Sequence, residues 1–445
     1  MKIIVIGCTH AGTAAIVNLK NQHPEAEIVV YERNDNVSFL SCGIALNVAD
    51  VVKDAQTLFY SSPEALGELG VKMNMEHDVL NIDVKTKTVT AKNLNTGDII
   101  TDCADKLVIT TGSWPIVPKF EGLELENIVL SKNFNHSQAI IEKAKKAENI
   151  VVIGAGYIGV ELAEAFEMLG KNTTIIDAEE RMMNKYLDQE ITDIATQAFE
   201  AHNINVVTNE RVAKFNGENG TVTEVVTDKG SYKADLVVLC IGFRPNTELL
   251  KGQLEMLDNG AIVIDEYMQT SEPGVFAAGD CCVVGYNPAK DKRYIPLATN
   301  AIRMGLLVAC NIKEPKLKYM GTQSTSGIKI YGHNIAATGL TEELAKATTD
   351  YDVASVVVKD NDRPEFMPTY EEVLLKLVYD KTTRRVLGGQ ISSKKDMTQM
   401  MNTLSVVIQN NMTIEELAMC DFFFMPHFNK PWSLLNTAAI EALTK

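Results

Sequence analysis

The chain has 445 residues, which corresponds to about three domains of ordinary size. Hydrophobic residues make up 46% of the sequence and charged residues 22%, so the composition excludes a disordered chain and allows several buried cores. The 58 acidic residues outnumber the 42 basic ones, and the net charge of −16 disfavours nucleic acid or an anionic membrane as a partner. The 8 cysteines are too few for a disulfide scaffold and include no Cys-x-x-Cys pair, so we expect a cytoplasmic protein without a metal site.

The opening segment, 3–19, carries no formal charge and could be taken for a secretory signal peptide. No stretch of the chain has the ~20 consecutive apolar residues of a membrane helix. The glycines of the opening segment favour a different interpretation. A β-branched run ends at Gly7, a helical pattern follows Gly12, and a second apolar run, 28–31, ends at Glu32. This order predicts a strand, a glycine turn, a helix and a second strand that ends in an acidic residue.

The same order recurs in the middle of the chain. The apolar run 150–153 leads into Gly154-Ala-Gly-Tyr-Ile-Gly159, and the next apolar run, 173–176, ends at Asp177. A single copy of this pattern is a weak signal, because it can mark no more than a tight turn between a strand and a helix. Two copies, each with an acidic residue about 20 positions after its glycine turn, are a strong signal, although Thr9 replaces the middle glycine of the first copy.

Such a unit suits a dinucleotide for two physical reasons. A turn without side chains lets the backbone approach a pyrophosphate, which binds the free N–H groups and the positive end of the helix dipole. The acidic residue accepts hydrogen bonds from a ribose, and at Asp177 it would repel the 2′-phosphate of NADP. The sequence therefore predicts two dinucleotide-binding units, of which the second prefers NAD.

The rest of the chain adds strands around these units. The runs 106–112 and 234–242 are strand-like and end in glycine, as strands do where they leave a sheet beside a ligand. Asp280 follows a glycine after another apolar strand and is suited to binding a polyol. From about Tyr319 the glycine-led turns disappear, and strand-like runs precede a helical tail, which predicts an α+β third domain.

Cys42 is the candidate for redox chemistry. It precedes Gly43 and a helix-compatible stretch, and a helix N-terminus can lower the pKa of a thiol from its usual value near 8.5. No second cysteine follows until Cys103, so the thiol cannot form a short-range disulfide; it can cycle to sulfenic acid or form a mixed disulfide. An isolated cysteine is usually a small buried hydrophobe, and we interpret the adjacent Cys281 and Cys282 in that way.

The segments 38–43 and 7–12 resemble the single-cysteine pyridine nucleotide–disulfide oxidoreductases, a family that includes NADH oxidases, NADH peroxidases and coenzyme A disulfide reductases. Within that family, the segments 7–12 and 112–115 are most similar to the water-forming NADH oxidases. The resemblance covers almost the full length and also takes in the segments 110–113, 154–159, 242–246, 278–280, 297–300 and 421–424.

The resemblance implies an α/β fold with two Rossmann-like domains and a C-terminal α+β dimerisation domain. The FAD domain would comprise 1–113 and 243–318, the NAD domain 114–242 and the dimerisation domain of a homodimer 319–445. FAD contacts are implied for Gly7, His10, Ala11, Gly12, Glu32, Cys42, Thr110, Thr111, Gly112, Ser113, Lys132, Asp280, Leu297, Ala298, Thr299 and the partner subunit's Phe424. NAD contacts are implied for Gly154, Gly156, Tyr157, Ile158, Gly159, Asp177, Tyr186, Gly242 and Gly327. Tyr157 would cover the flavin until the nicotinamide displaces it.

The resemblance also makes Cys42 and His10 catalytic. We hypothesise that NADH is oxidised with O₂ as acceptor and water as product, while Cys42 cycles between thiolate and sulfenic acid and His10 exchanges protons. Two alternatives within the family are an NADH peroxidase, which reduces H₂O₂, and a coenzyme A disulfide reductase, although few basic residues near the first unit could hold coenzyme A phosphates. An alternative from a different class is a non-catalytic flavoprotein that senses nucleotides. His427 is a second candidate near the partner subunit's site, but we interpret it as structural. Without the resemblance, the run 422–424 would be interpreted as ordinary core or interface packing.

Overall fold

The structure, a computed structural model, describes all residues from 1 to 445. The strands are β1 (Lys2–Ile6), β2 (Glu27–Tyr31), β3 (Lys72–Asn74), β4 (His77–Asp83), β5 (Thr88–Asn93), β6 (Ile99–Cys103), β7 (Lys106–Ile109), β8 (Ser113–Pro115), β9 (Ile128–Leu130), β10 (Asn149–Ile153), β11 (Asn172–Ile176), β12 (Asn205–Val207), β13 (Val212–Glu218), β14 (Thr221–Thr227), β15 (Ser231–Lys233), β16 (Leu236–Leu239), β17 (Phe243–Pro245), β18 (Val275–Ala277), β19 (Val284–Tyr286), β20 (Asp291–Arg293), β21 (Ser326–Ile330), β22 (His333–Gly339), β23 (Val353–Asn361), β24 (Glu372–Asp380) and β25 (Val386–Ser393). The helices are α1 (His10–Gln22), α2 (Ile44–Val48), α3 (Pro63–Glu68), α4 (Phe134–Lys146), α5 (Tyr157–Met168), α6 (Gln189–Ala201), α7 (Ala298–Asn311), α8 (Glu342–Thr348), α9 (Gln399–Gln409), α10 (Ile414–Ala418) and α11 (Leu434–Leu443). Short 3₁₀ turns occupy Ser41–Gly43, Ala55–Leu58 and Glu248–Leu250. No helix combines the length and the apolar character that crossing a bilayer requires.

The first sheet is parallel and is built from two separate parts of the chain. Its strand order is β3-β2-β1-β7-β18, so β18, from the second part, pairs along the edge of β7. The central strand β1 is an unbroken apolar run because both faces of a parallel sheet are covered, and Ile3, Ile4 and Val5 are fully buried. Helices α1 and α7 pack together at Gly305, where a Cβ would lie 2.5 Å from the carbonyl O of Ala11.

The second sheet repeats this plan within one stretch of chain. Its order is β12-β11-β10-β16-β9, and every pairing is parallel. The central strands β1 and β10 each lead through a glycine turn into a helix, β1 into α1 and β10 into α5. In such sheets ligands bind beyond the carboxyl ends of the strands. Both glycine turns lie at those ends, so the topology already predicts which edge of each sheet faces a ligand.

A two-stranded ribbon links the two sheets. Strands β8 and β17 pair antiparallel, with Trp114 opposite Arg244. The chain leaves the first sheet at β8 and returns at β17, so both connections between the sheets run side by side. The predicted boundaries 113/114 and 242/243 fall at the starts of these two strands.

The C-terminal region forms an antiparallel sheet in the order β21-β22-β25-β24-β23, with α9 and α11 packed against it. The inward residues of β24 and β25 share a core with these helices that includes Leu375, Leu377 and Leu404. The predicted fold, two Rossmann-like units followed by an α+β region, is confirmed.

Buried charges join the second sheet's region to the C-terminal sheet. Lys376 on β24 is only 3% exposed, and its Nζ lies 3.4 Å from Asp188, 3.0 Å from Glu190 and 2.9 Å from Glu342. Asp188 precedes α6, and its carboxylate also accepts a hydrogen bond from Gln390 Nε2 at 2.7 Å. Because a buried charge is costly without a partner, this cluster ties the orientation of the two regions to the presence of the lysine.

Replacing Lys376 by Met is expected to lower the free energy of unfolding by about 3 kcal/mol, because Asp188 and Glu342 lose their buried cation. The matched control is Lys359→Met on the adjacent strand, whose ion pair with Glu372 leaves the two side chains 64% and 62% exposed. Its expected cost is below about 1 kcal/mol. Urea unfolding followed by circular dichroism measures the free energy of unfolding of both variants. Equal losses of stability in the two variants would contradict the stabilising role of the buried cluster around Lys376.

The difference in free energy of unfolding between the wild type and Lys376→Met is expected to depend on pH. Burial acts to raise the pKa of Glu342, but hydrogen bonds from Lys346 and Lys376 outweigh it and lower the pKa from 4.5 to about 2. A depressed pKa stabilises the folded state above the ordinary value, and this contribution is lost as the pH falls through the folded-state value. The advantage of the wild type over Lys376→Met should therefore shrink between pH 4.5 and about 2.

Candidate active site

One cavity of about 1550 Å³ extends between the two parallel sheets and reaches the C-terminal region. Its wall contains both glycine turns, the ribbon and the start of β21. The predicted site residues that line it are Gly7, His10, Ala11, Glu32, Cys42, Thr110, Thr111, Gly112, Ser113, Lys132, Gly154, Gly156, Tyr157, Ile158, Asp177, Tyr186, Gly242, Asp280, Leu297, Ala298 and Gly327. The structure thus brings residues from distant parts of the chain to one site.

Four predicted site residues do not line the cavity. Gly12 and Gly159 lie beneath the turns, where a Cβ would overlap the carbonyl O of Gly7 and of Gly154 respectively. Both glycines allow close packing of the helix on the turn, and their predicted cofactor contacts stay predictions. Thr299 is exposed on α7, and Phe424 is 47% exposed on the C-terminal region. The predicted contact of Phe424 with the site of a second subunit stays a prediction.

Three helices begin at the cavity with unused N–H groups. Helices α1, α5 and α7 follow Thr9, Gly156 and Leu297, none of which caps its helix through a side chain. None of the three has an acidic residue in its first turn. The first N–H groups of a helix have no partner within it and attract anions. These three helix starts therefore fit the phosphates of dinucleotides.

The two acidic residues at the strand ends have the same geometry. Glu32 accepts a hydrogen bond from the N–H of Cys8 at 2.6 Å, and Asp177 accepts one from the N–H of Ala155 at 2.5 Å. In both units the donor is the residue after the first glycine of the turn. Burial raises the pKa of Glu32, against hydrogen bonds that act to lower it. Each carboxylate is thus fixed beside its glycine turn, where a ribose hydroxyl would donate to it.

Lys132, Ser113 and Asp280 form a hydrogen-bonded chain in the cavity wall. Lys132 Nζ donates to Ser113 Oγ at 2.8 Å, and Ser113 Oγ donates to Asp280 Oδ2 at 2.8 Å. Lys132 also lies 3.5 Å from that carboxylate and 4.5 Å from the centre of the Phe243 ring. Because the four residues come from both sheets and the ribbon, the cluster places a paired positive and negative charge where the two halves of the cavity meet.

Cys42 lies in the 3₁₀ turn Ser41–Gly43, directly before the five-residue helix α2, and its residue surface is exposed to the cavity. The predicted lowering of its pKa is wrong for the protein by itself. Surrounding protein desolvates the thiol and raises its pKa, the charge of Glu161 raises it further, and Lys132 lowers it. The short helix α2 and one lysine do not outweigh the loss of water.

His10 begins α1 and has two different nitrogen environments. Its Nδ1 lies 3.1 Å from the hydroxyl of Tyr60, whereas its Nε2 is buried without a hydrogen-bond partner. Burial lowers the pKa of the imidazole, with Asp280 acting to raise it and Lys132 to lower it. The imidazole is therefore neutral at pH 7.

Glu161 and Tyr60 are site residues that sequence reasoning missed. Glu161 lies one turn after Tyr157 on α5, lines the cavity, and has its pKa raised to about 7 by burial and by Glu164. The spacing of four from Tyr157 is the one signal that could have found it. Nothing in the local sequence marks Tyr60, since it reaches His10 from 50 residues away.

The cavity wall contains buried polar atoms without hydrogen-bond partners, and these show whether a large polar ligand fits. His10 Nε2, Thr111 Oγ1, Ser131 Oγ and Tyr294 OH are such atoms, and all four residues line the wall. Native proteins rarely leave buried polar atoms unpaired, so these atoms indicate a missing polar partner. Gly7, with φ at +92°, packs so closely that a Cβ would lie 2.5 Å from the O of Thr110, so the turn has no side chain there. The residues present fit two dinucleotides, one at each glycine turn.

Comparison with known proteins gives a family for the whole chain. Residues 1–305 match the family described as pyridine nucleotide-disulphide oxidoreductase, and residues 325–434 match the dimerisation domain of that family. An NADH oxidase of Enterococcus faecalis is 55% identical over 444 residues, which cover 100% of this chain and 99% of that protein.

Two similar structures have been solved with nucleotides bound. The water-forming NADH oxidase from Lactobacillus brevis bound to NADH is 52% identical, with a TM-score of 0.98 and coverage of 100% of this chain and 98% of that one. An engineered mutant of that enzyme, a water-forming NADPH oxidase bound to NADPH, is 51% identical with the same TM-score and coverage. The family predicted from the motifs is confirmed: this chain belongs to the pyridine nucleotide-disulphide oxidoreductases.

Proposed function

We propose that this protein is an FAD-dependent NADH oxidase that reduces O₂ to two molecules of water at the expense of two NADH. The observation that carries the proposal is the position of a single accessible thiol, Cys42, together with His10 in a cavity shared by both glycine turns. Support also comes from the relatives named NADH oxidase, which match over almost the full length of the chain. We propose the cytoplasm as its compartment, since all 8 cysteines carry free thiols.

The binding assignments follow the two halves of the cavity. FAD, when bound, supplies the two-electron chemistry between NADH and oxygen. We assign the binding of FAD to Gly7, His10, Ala11, Glu32, Thr110, Thr111, Gly112, Ser113, Lys132, Asp280, Leu297 and Ala298. We assign the binding of NADH to Gly154, Gly156, Tyr157, Ile158, Asp177, Tyr186, Gly242 and Gly327. The domain limits 1–113 with 243–318, 114–242 and 319–445 are part of this proposal.

Tyr157 occupies the passage between the two halves. Its hydroxyl lies 3.1 Å from Ser326 Oγ, and its ring packs at 4.7 Å from that of Tyr186. A nicotinamide that enters from the NADH half must displace this ring. The hydrogen bond to Ser326 and the contact with Tyr186 therefore hold the passage closed until NADH arrives, and they exclude water from the interior.

Cys42 completes the reduction from peroxide to water. The thiol attacks H₂O₂, the O–O bond breaks, and the products are Cys42 sulfenic acid and one water. A second NADH then supplies two electrons and one hydrogen: the S–O bond breaks, sulfur returns as thiolate, and the oxygen leaves as water. His10, neutral at pH 7, lines the same cavity, where its imidazole can form a hydrogen bond with the oxygen that Cys42 takes from the peroxide. Glu161, with a pKa of about 7, can also hold or release a proton near Cys42 at that pH.

The preference for NADH follows from charge at the end of β11. Asp177 lines the cavity, and Glu179 lies two residues further on, with its carboxylate 3.0 Å from Lys185. A 2′-phosphate would bring about two further negative charges to this place. The engineered relative bound to NADPH carries, among other changes, an aspartate replaced by alanine and an alanine replaced by arginine. We infer that Asp177 and the neighbouring Ala178 serve the same selection here.

The C-terminal region carries the surface that we propose for a homodimer. The aromatic residues Phe366, Phe423, Phe428 and Trp432 are each at least 55% exposed, as is Met419. Exposed large apolar groups of this density are typical of a subunit interface. The match of residues 325–434 to a dimerisation domain supports this assignment, which would place Phe424 at a second subunit's site.

The Cys42→Ser variant is expected to oxidise NADH but to release H₂O₂, because a hydroxyl does not form a sulfenic acid. Consumption should change from two NADH per O₂ in the wild type to one. An oxygen electrode combined with a peroxide assay measures this ratio, and Cys103→Ser, at an exposed thiol on β6, is the control. Water as the only product of Cys42→Ser would contradict the role of the thiol, and a wild type that reduces only added H₂O₂ would indicate an NADH peroxidase.

The Asp177→Ala variant is expected to raise the ratio of kcat/KM for NADPH to that for NADH by about tenfold or more, which corresponds to about 1.4 kcal/mol of removed repulsion. The control is Asp193→Ala, an exposed acid on α6 outside the cavity. Steady-state kinetics with both nucleotides measure the change. An unchanged ratio would show that other groups select the nucleotide.

The Glu161→Gln variant is expected to react faster at Cys42 with iodoacetamide above pH 7, by about two- to threefold, because the carboxylate raises the pKa of the thiol. Below about pH 6 Glu161 is protonated, so the variant and the wild type should react alike. Peptide mass spectrometry across this pH range follows Cys42 separately from Cys103. Asp50→Asn is the control, and an equal increase in that variant would refute a specific effect of Glu161.

A further inference from the structure

We propose that Tyr60 is a positioning residue that holds His10 in the tautomer with its proton on Nε2, so that the imidazole offers a hydrogen-bond donor to the oxygen bound at Cys42. The tautomer follows from the geometry around His10. The use of the donor rests on the proposed oxidase function.

The rings of His10 and Tyr60 are hydrogen-bonded and nearly parallel. The hydroxyl of Tyr60 lies 3.1 Å from Nδ1 of His10, the ring planes differ by 6°, and the ring centres are 5.8 Å apart. A phenol is a better donor than acceptor, and burial raises the pKa of Tyr60 to about 12, so its proton stays on oxygen at any physiological pH. We therefore assign Tyr60 as the donor and Nδ1 as the acceptor, which in a neutral imidazole puts the single proton on Nε2.

Backbone hydrogen bonds fix Tyr60 relative to both the first glycine turn and the Cys42 segment. The N–H of Ser38 donates to the carbonyl of Cys8 at 3.0 Å, and the N–H of Leu40 donates to that of Leu58 at 2.8 Å. The Oγ of Ser38 donates to the carbonyl of Ser61 and accepts from its N–H, both at 2.8 Å. Ser38 is fully buried, with φ at +61°, which shows that the surrounding structure enforces this arrangement. Tyr60 thus lies on a segment tied to the two others.

The nitrogen without a partner and the thiol belong to the same cavity. His10 Nε2 is buried with no hydrogen-bond partner, and His10 and Cys42 both line the cavity, as do Lys132 and Asp280, whose charges act on the pKa of each. A buried N–H without a partner is costly, and a ligand oxygen would remove that cost.

The step that a hydrogen bond from His10 would accelerate is the reduction of the sulfenic acid, Cys–SOH + NADH → Cys–S⁻ + NAD⁺ + H₂O. The S–O bond breaks and its electron pair leaves with the oxygen, the two electrons from NADH end on sulfur as the thiolate pair, and the hydrogen from NADH converts the departing hydroxide to water. Negative charge develops on the oxygen as it leaves, and an Nε2–H donor placed in advance stabilises that charge. If the proton were on Nδ1 instead, Nε2 would present a lone pair to the oxygen and repel it.

Tyr60→Phe keeps the ring and removes only the hydroxyl, and the matched control is Tyr370→Phe, since both tyrosines are 46% exposed. In the FAD-loaded protein labelled with ¹⁵N-histidine, the wild type should show a protonated Nε2 and an unprotonated Nδ1 for His10. The Tyr60→Phe variant should show a mixture or the opposite tautomer. His10→Gln identifies the signals among those of the 7 histidines.

The kinetic readout is the reduction of Cys42 sulfenic acid by NADH in a rapid-mixing experiment. Tyr60→Phe should slow it by about tenfold with an unchanged KM for NADH, and Tyr370→Phe should not. A wild type with the proton on Nδ1, or an unchanged tautomer in Tyr60→Phe, would overturn the proposal whatever the enzyme reduces. Failure of the oxidase function would appear separately, as a wild-type stoichiometry other than two NADH per O₂.

Discussion

The close contact of each helix start with the end of its strand is the constraint on which the site depends. Gly12 and Gly159 have no Cβ, and a Cβ built at either position on this backbone would overlap the carbonyl O of the first glycine in the turn, so a larger residue requires the turn to shift. This contact aims the free N–H groups of α1 and α5 at one cavity and leaves Glu32 and Asp177 within reach of the backbone N–H after that glycine. The geometry of the nucleotide sites therefore follows from the packing of helix on turn and does not require a polar side chain.

The two connections between the sheets are part of the site as well as of the fold. Ser113 begins one strand of the ribbon and Phe243 begins the other, and Lys132 contacts both. A change in the relative position of the two sheets would thus alter the hydrogen bond that Ser113 donates to Asp280. The buried cluster around Lys376 constrains the third region in a similar way, and Tyr157 with Ser326 connects that region to the interior of the cavity.

Local patterns made the two nucleotide units, Cys42 and the acidic strand ends predictable, because each depends on residues that are close together in the sequence. The roles of Tyr60 and Glu161 were not predictable, since their contacts with the active site are made by folding across 50 residues or between separate sheets. The pKa of Cys42 was predicted in the wrong direction for a related reason: helix position can be read from the sequence, but the amount of water that the folded wall removes cannot. Gly12 and Gly159 were singled out for a cofactor contact, and the structure adds a close approach of each to a carbonyl of its turn, which cannot be read from the sequence.

The division of the first sheet between two parts of the chain has a consequence for biosynthesis. Leu107, Val108 and Ile109 of β7 are fully buried only when β18 has joined, and β18 leaves the ribosome more than 160 residues later. Until then the nascent chain carries an apolar strand with one unpaired edge, which is the kind of surface that chaperones protect and that drives aggregation. The inserted second sheet can complete its own hydrogen bonds during this interval, because its five strands all lie between β8 and β17. Translation pauses within that insert would therefore lengthen the vulnerable period, whereas pauses after β18 would not.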